Sequence, residues 1–244
     1  GISTMTGPQI HHAMEVAHIV RRATDGQMPI VWGGPHPTTM PEQTLGSDLV
    51  DIVCVGEGEE TFLELVRHLS EKRSLAEVCG IASKDGGRAV VNPSRPLINM
   101  DELLPVPWEL VDVGTYIHPE MYLNPSPRTL DIGQTSRGCP FSCTFCSSAS
   151  LRHRRWRAMS PARALEAIVE PVKRFRLTGV RIRDDEFYID RARVSAICEG
   201  LIREDLNIAW YSSGTRIDIF NQATDAEIAL LRRSGARGLK FGAE

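Results

Sequence analysis

No apolar run in this 244-residue chain approaches the roughly 20 residues that a membrane-spanning helix needs. No charged-then-apolar leader like a secretory signal opens it. Charge of one sign is missing as well. Its 28 Lys and Arg stand against 31 Asp and Glu, and a net charge of −3 offers no electrostatic case for nucleic acid or an anionic membrane surface. Internal repeats and low-complexity tracts are absent. Cysteine is scarce and unevenly spread: Cys54, Cys79 and Cys198 stand alone in apolar surroundings, whereas Cys139, Cys143 and Cys146 crowd together. A secreted disulfide scaffold has a different pattern, which favours a reducing, cytoplasmic setting.

What remains is an ordinary globular composition, 42% hydrophobic and 24% charged, long enough for one large domain or two smaller ones. The sequence opens on "GISTMTG" without Met and stops at "GLKFGAE", both strand-like, and is read as an internal piece of a longer protein. Short apolar runs alternate with helical periodicity in the first part, the pattern of a parallel α/β sheet. Strands are expected at "GISTM", at 30–34 ("IVWGG") and at 50–56 ("VDIVCVG"). Ile10, Met14, Ala17 and Val20 mark one helix face, and Phe62, Leu65, Val66 and Leu69 another. A hairpin should turn at Asp85-Gly86-Gly87. Residues 93–128 hold most of the prolines and little periodicity, and are read as a packed linker with short helices.

A second alternating series starts near Thr129. Strands are expected at "LDIGQTS", "GVRIR", "IAWYSS" and "GLKFG", with helices opened by Ser160-Pro161, by Asp190 and by a Thr224/Glu227 capping box. Pro171 conflicts locally with the first of these helices. Four strands and three helices in strict alternation suit part of a β/α barrel.

The stretch "TSRGCPFSCTFCSS" ends the first strand of that series and sets Cys139-x3-Cys143-x2-Cys146 without a fourth cysteine. Zinc modules usually pair Cys-x2-Cys or Cys/His elements tens of residues apart, and His153 sits among Arg152, Arg154, Arg155 and Arg157, a poor setting for a cation. Three thiols can instead hold an iron–sulfur cluster with one iron left open to a substrate or cofactor. The loop resembles the signature of the radical SAM superfamily, Cys-x3-Cys-x-aromatic-Cys, with Phe145 as the aromatic. The resemblance implies that a 4Fe–4S cluster on Cys139, Cys143 and Cys146 binds S-adenosylmethionine (SAM) at its open iron. One electron then cleaves the sulfonium to methionine and a 5′-deoxyadenosyl radical, with Phe145 against the adenine.

The resemblance runs to the end of the chain. "RIRDDEF" is similar to a segment after the second barrel strand of the cobalamin-linked branch, implying that Asp184, Asp185 and Glu186 lie near the methionine moiety; a solvated acidic loop is the plainer alternative. "YSSGTRID" implies that Arg216 lies near the methionine carboxylate, against the alternative of a surface salt bridge. "FGAE" implies that Glu244 approaches the ribose. The basic run "HRRWRAMS" is read as a solvated or cofactor-adjacent face.

The first part, with "IVWGGPHPTTMPEQTL" and "VDIVCVGEGEETFLEL", resembles the Rossmann-like cobalamin-binding domain fused ahead of many radical SAM cores. Ser3, Thr6, Gly33, Gly34, His36, Glu57, Gly58 and Glu59 would border the corrinoid and its nucleotide tail. In the plainer account His36 is a loop residue and the glutamates merely start a helix. No Asp-x-His-x-x-Gly segment is present to supply a lower axial histidine.

The resulting expectation is an α/β chain: a partial cobalamin-binding domain at 1–92, a linker at 93–128 and a partial radical SAM (β/α)6 barrel at 129–244. The function implied is a cobalamin-dependent radical SAM enzyme, a methyltransferase acting on a carbon centre of a small-molecule or lipid-like substrate. An electron donor such as flavodoxin or ferredoxin is implied as partner. Cyclisation, a tRNA methylthiotransferase-like activity and a non-catalytic cobalamin or cluster sensor are the alternatives. Cys54 and Cys79 are too few for the methylthiotransferase group's own N-terminal cluster.

Overall fold

A computed structural model describes residues 1–120 and 126–242. Residues 121–125 of the expected linker, and Glu244, lie outside the described residues. The chain divides into two compact units, Gly1–Ile98 and Asn99–Glu244.

In the first unit β1 (Ile2–Ser3), β2 (Val31–Gly33) and β3 (Ile52–Cys54) run parallel, and β4 (Ile81–Asp85) and β5 (Arg88–Val91) add antiparallel to β3 in the order β1-β2-β3-β4-β5. The apolar runs form strands because both sheet faces are covered. Ile30 and Trp32 join Ala13 and Ala17 of α1 (Gln9–Ala23) and Leu45 of α3 (Pro41–Leu45) on one face. Val31, Ile52 and Cys54 pack with Leu65 of α4 (Gly58–Ser70) on the other. A short α2 (Pro35–Thr39) follows β2. The expected helix faces hold in part: Ala17 and Leu65 are buried and Ile10, Val20 and Leu69 pack against the cores, while Met14, Phe62 and Val66 are exposed and Ala13, Thr61 and His68 are buried beside them. Ala13 and Ala17 are small enough to let α1 lie close on the sheet. The β4–β5 hairpin closes through Gly86-Gly87, with Asp85 opposite Arg88.

In the second unit the order is β12-β11-β10-β7-β6. Four strands are parallel: β7 (Ser126–Gly133), β10 (Gly179–Ile182), β11 (Ala209–Arg216) and β12 (Ala236–Gly242). The edge strand β6 (His118–Glu120) is antiparallel. The sheet is open. β8 (Ser136–Arg137) and β9 (Arg157–Ala158) form a separate ribbon that flanks the cysteine loop and the short α5 (Ser148–Arg152). Helices α6 (Pro161–Phe175), α7 (Arg191–Glu204) and α9 (Asp225–Arg233) bury Ile168, Ile197 and Leu231 in one core with Val180 and Trp210; α8 (Ile217–Phe220) is one turn after β11. α6 continues through the buried Pro171. The stretch read as a packed linker with short helices gives this core Met100 and Val113, carried by 3-10 turns, and also supplies β6, which was not expected.

The capping signals act as expected. Ser160 Oγ accepts from Arg163 N–H at 3.3 Å, Asp190 Oδ1 accepts from Arg193 N–H at 2.9 Å, and Thr224 and Glu227 cap each other's backbone. Glu227 also takes the Arg191 guanidinium, and this pairing holds its carboxyl down at about 2. A depressed carboxylate stabilises the fold above its ordinary value and loses that contribution as pH falls. Stability, read as the urea midpoint, should therefore drop between about pH 4.5 and about pH 2, and Glu227→Gln should flatten that limb.

Candidate active site at the strand ends

The C-terminal ends of β7, β10 and β11 meet at one rim of the second unit, where parallel strands deliver their following loops. The arrangement depends on Asp184, which follows β10 by two residues and is only 2% exposed. Its Oδ1 accepts from the Thr135 and Ser136 backbone N–H groups at 2.6 and 2.9 Å, and its Oδ2 from their hydroxyls at 2.8 and 2.6 Å. All four donors come from the two residues that lead from β7 into the cysteine loop. Arg193, inward on α7 and 5% exposed, closes the clasp. It donates to Thr135 O and Oγ1, both at 2.9 Å, and to Met159 O at 2.7 Å. Burial pushes the Asp184 carboxyl up and the Arg193 guanidinium down, while the donors and the opposite charge of each partner oppose this. Two backbone N–H groups can only donate, so the carboxylate is the form that satisfies the clasp.

Its neighbour, in the turn past β10, points elsewhere. Asp185 is exposed, and its Oδ2 accepts from Gly138 N–H at 2.9 Å and Ser148 Oγ at 3.4 Å, bracketing the cysteine loop. Gly138 has φ +85°, and a Cβ there would collide with the carbonyl of Arg155 in the strap that returns as β9. Glu186 is buried and accepts from Tyr188 N–H at 3.1 Å and Arg216 N–H at 2.8 Å; burial raises its carboxyl against these donors. Of the three expected methionine contacts, Asp184 and Glu186 are buried with both oxygens taken inside the protein, and Asp185 is exposed and faces the loop.

Cys139 and Cys143 are half-buried on that loop and Cys146 is exposed. Cys146 N–H donates to Cys143 O at 3.1 Å, which turns the loop between them. Burial pushes the Cys139 thiol up, and the nearby Glu186, Cys146 and Asp185 add to the push. Phe145, 67% exposed, stands free on the same turn. Arg216, the last residue of β11, reaches the loop: Nη1 lies 3.2 Å from Cys143 Sγ and the guanidinium sits 4.1 Å from the Phe141 ring centroid. Phe141 and Arg193 were not singled out from sequence. Phe141 lies inside the quoted cysteine stretch, but its neighbour was invisible; Arg193 lay in a helix where an arginine ordinarily faces water.

Among the described residues no three His, Cys, Asp or Glu side chains gather tightly enough to hold one metal ion. Three thiols on one loop are the donor set that a cluster taking one thiolate per iron would use.

In the first unit the loops after β1, β2 and β3 form the corresponding rim. Gly34 has φ +92°, and a Cβ there would meet Ser3 Oγ and Thr4 O at 2.8 Å. Thr6 Oγ1 and His36 Nδ1 are 3.1 Å apart, so three of the expected positions, Ser3, Thr6 and His36, are drawn together around Gly34. Gly33 ends β2. Glu57 caps the entry to α4 and accepts from Ile98 N–H at 3.2 Å, and Gly58 and Glu59 are the helix's first residues. Cys54 is buried, its thiol pushed up to about 11 chiefly by burial and next by Glu59. A backbone lip free of side-chain bulk at parallel strand ends fits a large planar ligand.

Comparison with known proteins decides the assignment of the two units. Residues 1–66 match the B12 binding domain and residues 134–244 match the radical SAM superfamily. The chain belongs to the cobalamin-binding radical SAM family. It is 33% identical to an uncharacterized methyltransferase of Pyrococcus horikoshii over 99% of its own length and 50% of that protein. It is 29% identical to the anaerobic magnesium-protoporphyrin IX monomethyl ester cyclase of Rubrivivax gelatinosus over 99% of its length and 43% of that protein. The solved structure of the cobalamin-dependent SAM radical enzyme OxsB, with aqua-cobalamin and SAM bound, aligns with TM-score 0.75 at 25% identity, covering 99% of this chain and 35% of that one. The chain thus spans about half the length of the curated relatives it matches. No described helix is long and apolar enough to cross a membrane.

In the radical SAM unit, Asp184→Asn keeps an acceptor for the two backbone N–H groups but sets its amide N–H against the Thr135 and Ser136 hydroxyls and removes the buried charge beside Arg193; it should destabilise the fold by about 3 kcal/mol. Asp185→Asn, at an exposed position, should cost under about 1 kcal/mol. Urea denaturation followed by tryptophan fluorescence separates the two.

Proposed function

We propose that the chain is the cobalamin- and SAM-binding part of a radical methyltransferase acting on a carbon centre. The observation that carries this reading is the three-thiol loop at the end of the first parallel strand of its unit, braced by Asp185 and met by Arg216. Residues 1–92 form the cobalamin-binding domain in this reading, 93–128 the connection and 129–244 the radical core. When bound, the 4Fe–4S cluster and SAM supply a 5′-deoxyadenosyl radical, and cobalamin supplies the methyl group.

The chain's own residues do the rest. Cys139, Cys143 and Cys146 would hold the cluster and leave it one site open to SAM. Asp185 accepts from the ammonium, Glu186 fixes the backbone of Arg216 from behind, Arg216 lies on the carboxylate side, Phe145 packs on the adenine and Glu244 reaches the ribose. Asp184 holds the loop in place and does not touch the ligand. Ser3, Thr6, Gly33, Gly34, His36, Glu57, Gly58 and Glu59 seat the corrinoid. The substrate is a small or lipid-like molecule, the electron comes from a flavodoxin- or ferredoxin-type donor, and the setting is the reducing cytoplasm. Cyclisation is the second reading, because the relatives include cyclases.

Anaerobic reconstitution of the full-length protein with iron, sulfide, cobalamin and SAM tests this. Both 5′-deoxyadenosine and S-adenosylhomocysteine are expected under reducing conditions; 5′-deoxyadenosine alone favours cyclisation, and absence of both rejects the enzyme reading. Cys143→Ala should abolish the iron–sulfur absorption while corrinoid binding persists. Gly34→Val should do the reverse, losing corrinoid while iron content stays at wild-type level.

A further inference from the structure

Arg216 is more tightly held than a ligand-seeking arginine needs to be. Its Nε and Nη2 bind Asp218 Oδ1 and Oδ2 at 3.0 and 2.7 Å, so one edge of the guanidinium fork is already paired with a carboxylate. Its plane rests on Phe141, and its backbone N–H is fixed by Glu186. The free edge is then aimed at one atom: Nη1 lies 3.2 Å from Cys143 Sγ. Arginine has donors only, so this contact is a charge-assisted hydrogen bond to sulfur.

We propose that Arg216, oriented by Phe141 and Asp218, is a positioning residue that raises the reduction potential of the cluster held by Cys143, by donating to that thiolate. The inference rests on the reading of Cys139, Cys143 and Cys146 as cluster ligands. A hydrogen bond to a ligating sulfur, together with a nearby positive charge, draws electron density from the cluster and favours its reduced form. Asp218 tempers the charge without displacing Nη1, and Phe141 keeps the plane from rotating away. The bidentate edge that would best clasp a free carboxylate is the one Asp218 occupies. Arg216 therefore acts on the cluster before SAM arrives.

The test is a redox titration of the reconstituted full-length protein without SAM, followed by EPR of the reduced cluster. Arg216→Gln should leave about tenfold less reduced cluster at a fixed potential, a downward shift of about 59 mV for one electron. Phe141→Leu keeps the charge but frees its plane, and should shift the midpoint in the same direction by less. Arg216→Lys, charged but without the stacked fork, should stay below wild type. Variants with full iron content and a wild-type SAM-free midpoint, but weakened SAM binding, would make Arg216 a substrate-binding residue only and overturn the proposal. Full recovery in Arg216→Lys would also overturn it, since charge alone would suffice. If Arg216→Gln fails to load iron, Phe141→Leu decides. A wild-type protein that loads no cluster rejects the proposed function instead.

Discussion

The second unit depends on one buried carboxylate. Asp184 gives up its hydration inside the sheet's rim and recovers it from four donors supplied by two consecutive residues, Thr135 and Ser136. That exchange is favourable only if β7 ends at the right height beside β10, so the hydrogen bonds fix the strand end and with it the start of the cysteine loop. Arg193 extends the constraint to α7 and to Met159 ahead of α6. A loop carrying thiols for an oxygen-sensitive cofactor has little apolar surface of its own to hold it. Here its entrance is fastened by the clasp, and Asp185 and the β8–β9 ribbon hold its flanks.

Consecutive acidic residues in the turn after β10 divide the labour by facing different sides. Asp184 turns inward and is consumed by the clasp; Asp185 turns outward to Gly138 and Ser148; Glu186 turns inward again and takes the backbone of Arg216. One three-residue segment thus ties β7, the cysteine loop and β11 to a common frame. Arg216 inherits its place from that frame, which is why its guanidinium arrives at Cys143 and not at bulk solvent.

Much of this was legible from residue order. The cysteine spacing, the caps at Ser160, Asp190 and Thr224 and the turn at Gly86-Gly87 are local signals, and local chemistry decides them. What was not legible depends on partners far apart in sequence. Met100 and Val113 sit in aperiodic, proline-rich chain, so nothing nearby marks them as core. Arg193 reads as a solvent-facing helix residue until β7 and β10 are beside it. Asp184 and Asp185 are chemically equal in a string and differ only once the turn after β10 sets one against Thr135 and Ser136 and the other against Gly138. On α1 and α4 the periodicity marks Ala17 and Leu65 correctly, but Met14, Phe62 and Val66 lie outward and the small or polar Ala13 and Thr61 lie inward, which side-chain apolarity alone does not signal.

The two rims obey the same rule with opposite means. In the cobalamin-binding unit the rim is backbone brought close: a Cβ at Gly34 would strike Ser3 Oγ and Thr4 O, so the turns after β1 and β2 pack directly on each other. In the radical SAM unit, the rim is crowded with charge, and each charge has a partner inside the protein before any ligand binds. A large, mostly apolar macrocycle gains from surface and needs clearance; a small, electron-rich cluster gains from fixed dipoles and needs preorganised donors. Arg216 fits the second requirement. Its charge is balanced by Asp218 and its free N–H is committed to sulfur, so reorganisation on accepting an electron is small. The electrostatic work at that rim is done when the chain folds, which leaves the bound cofactor to do chemistry in a field already set.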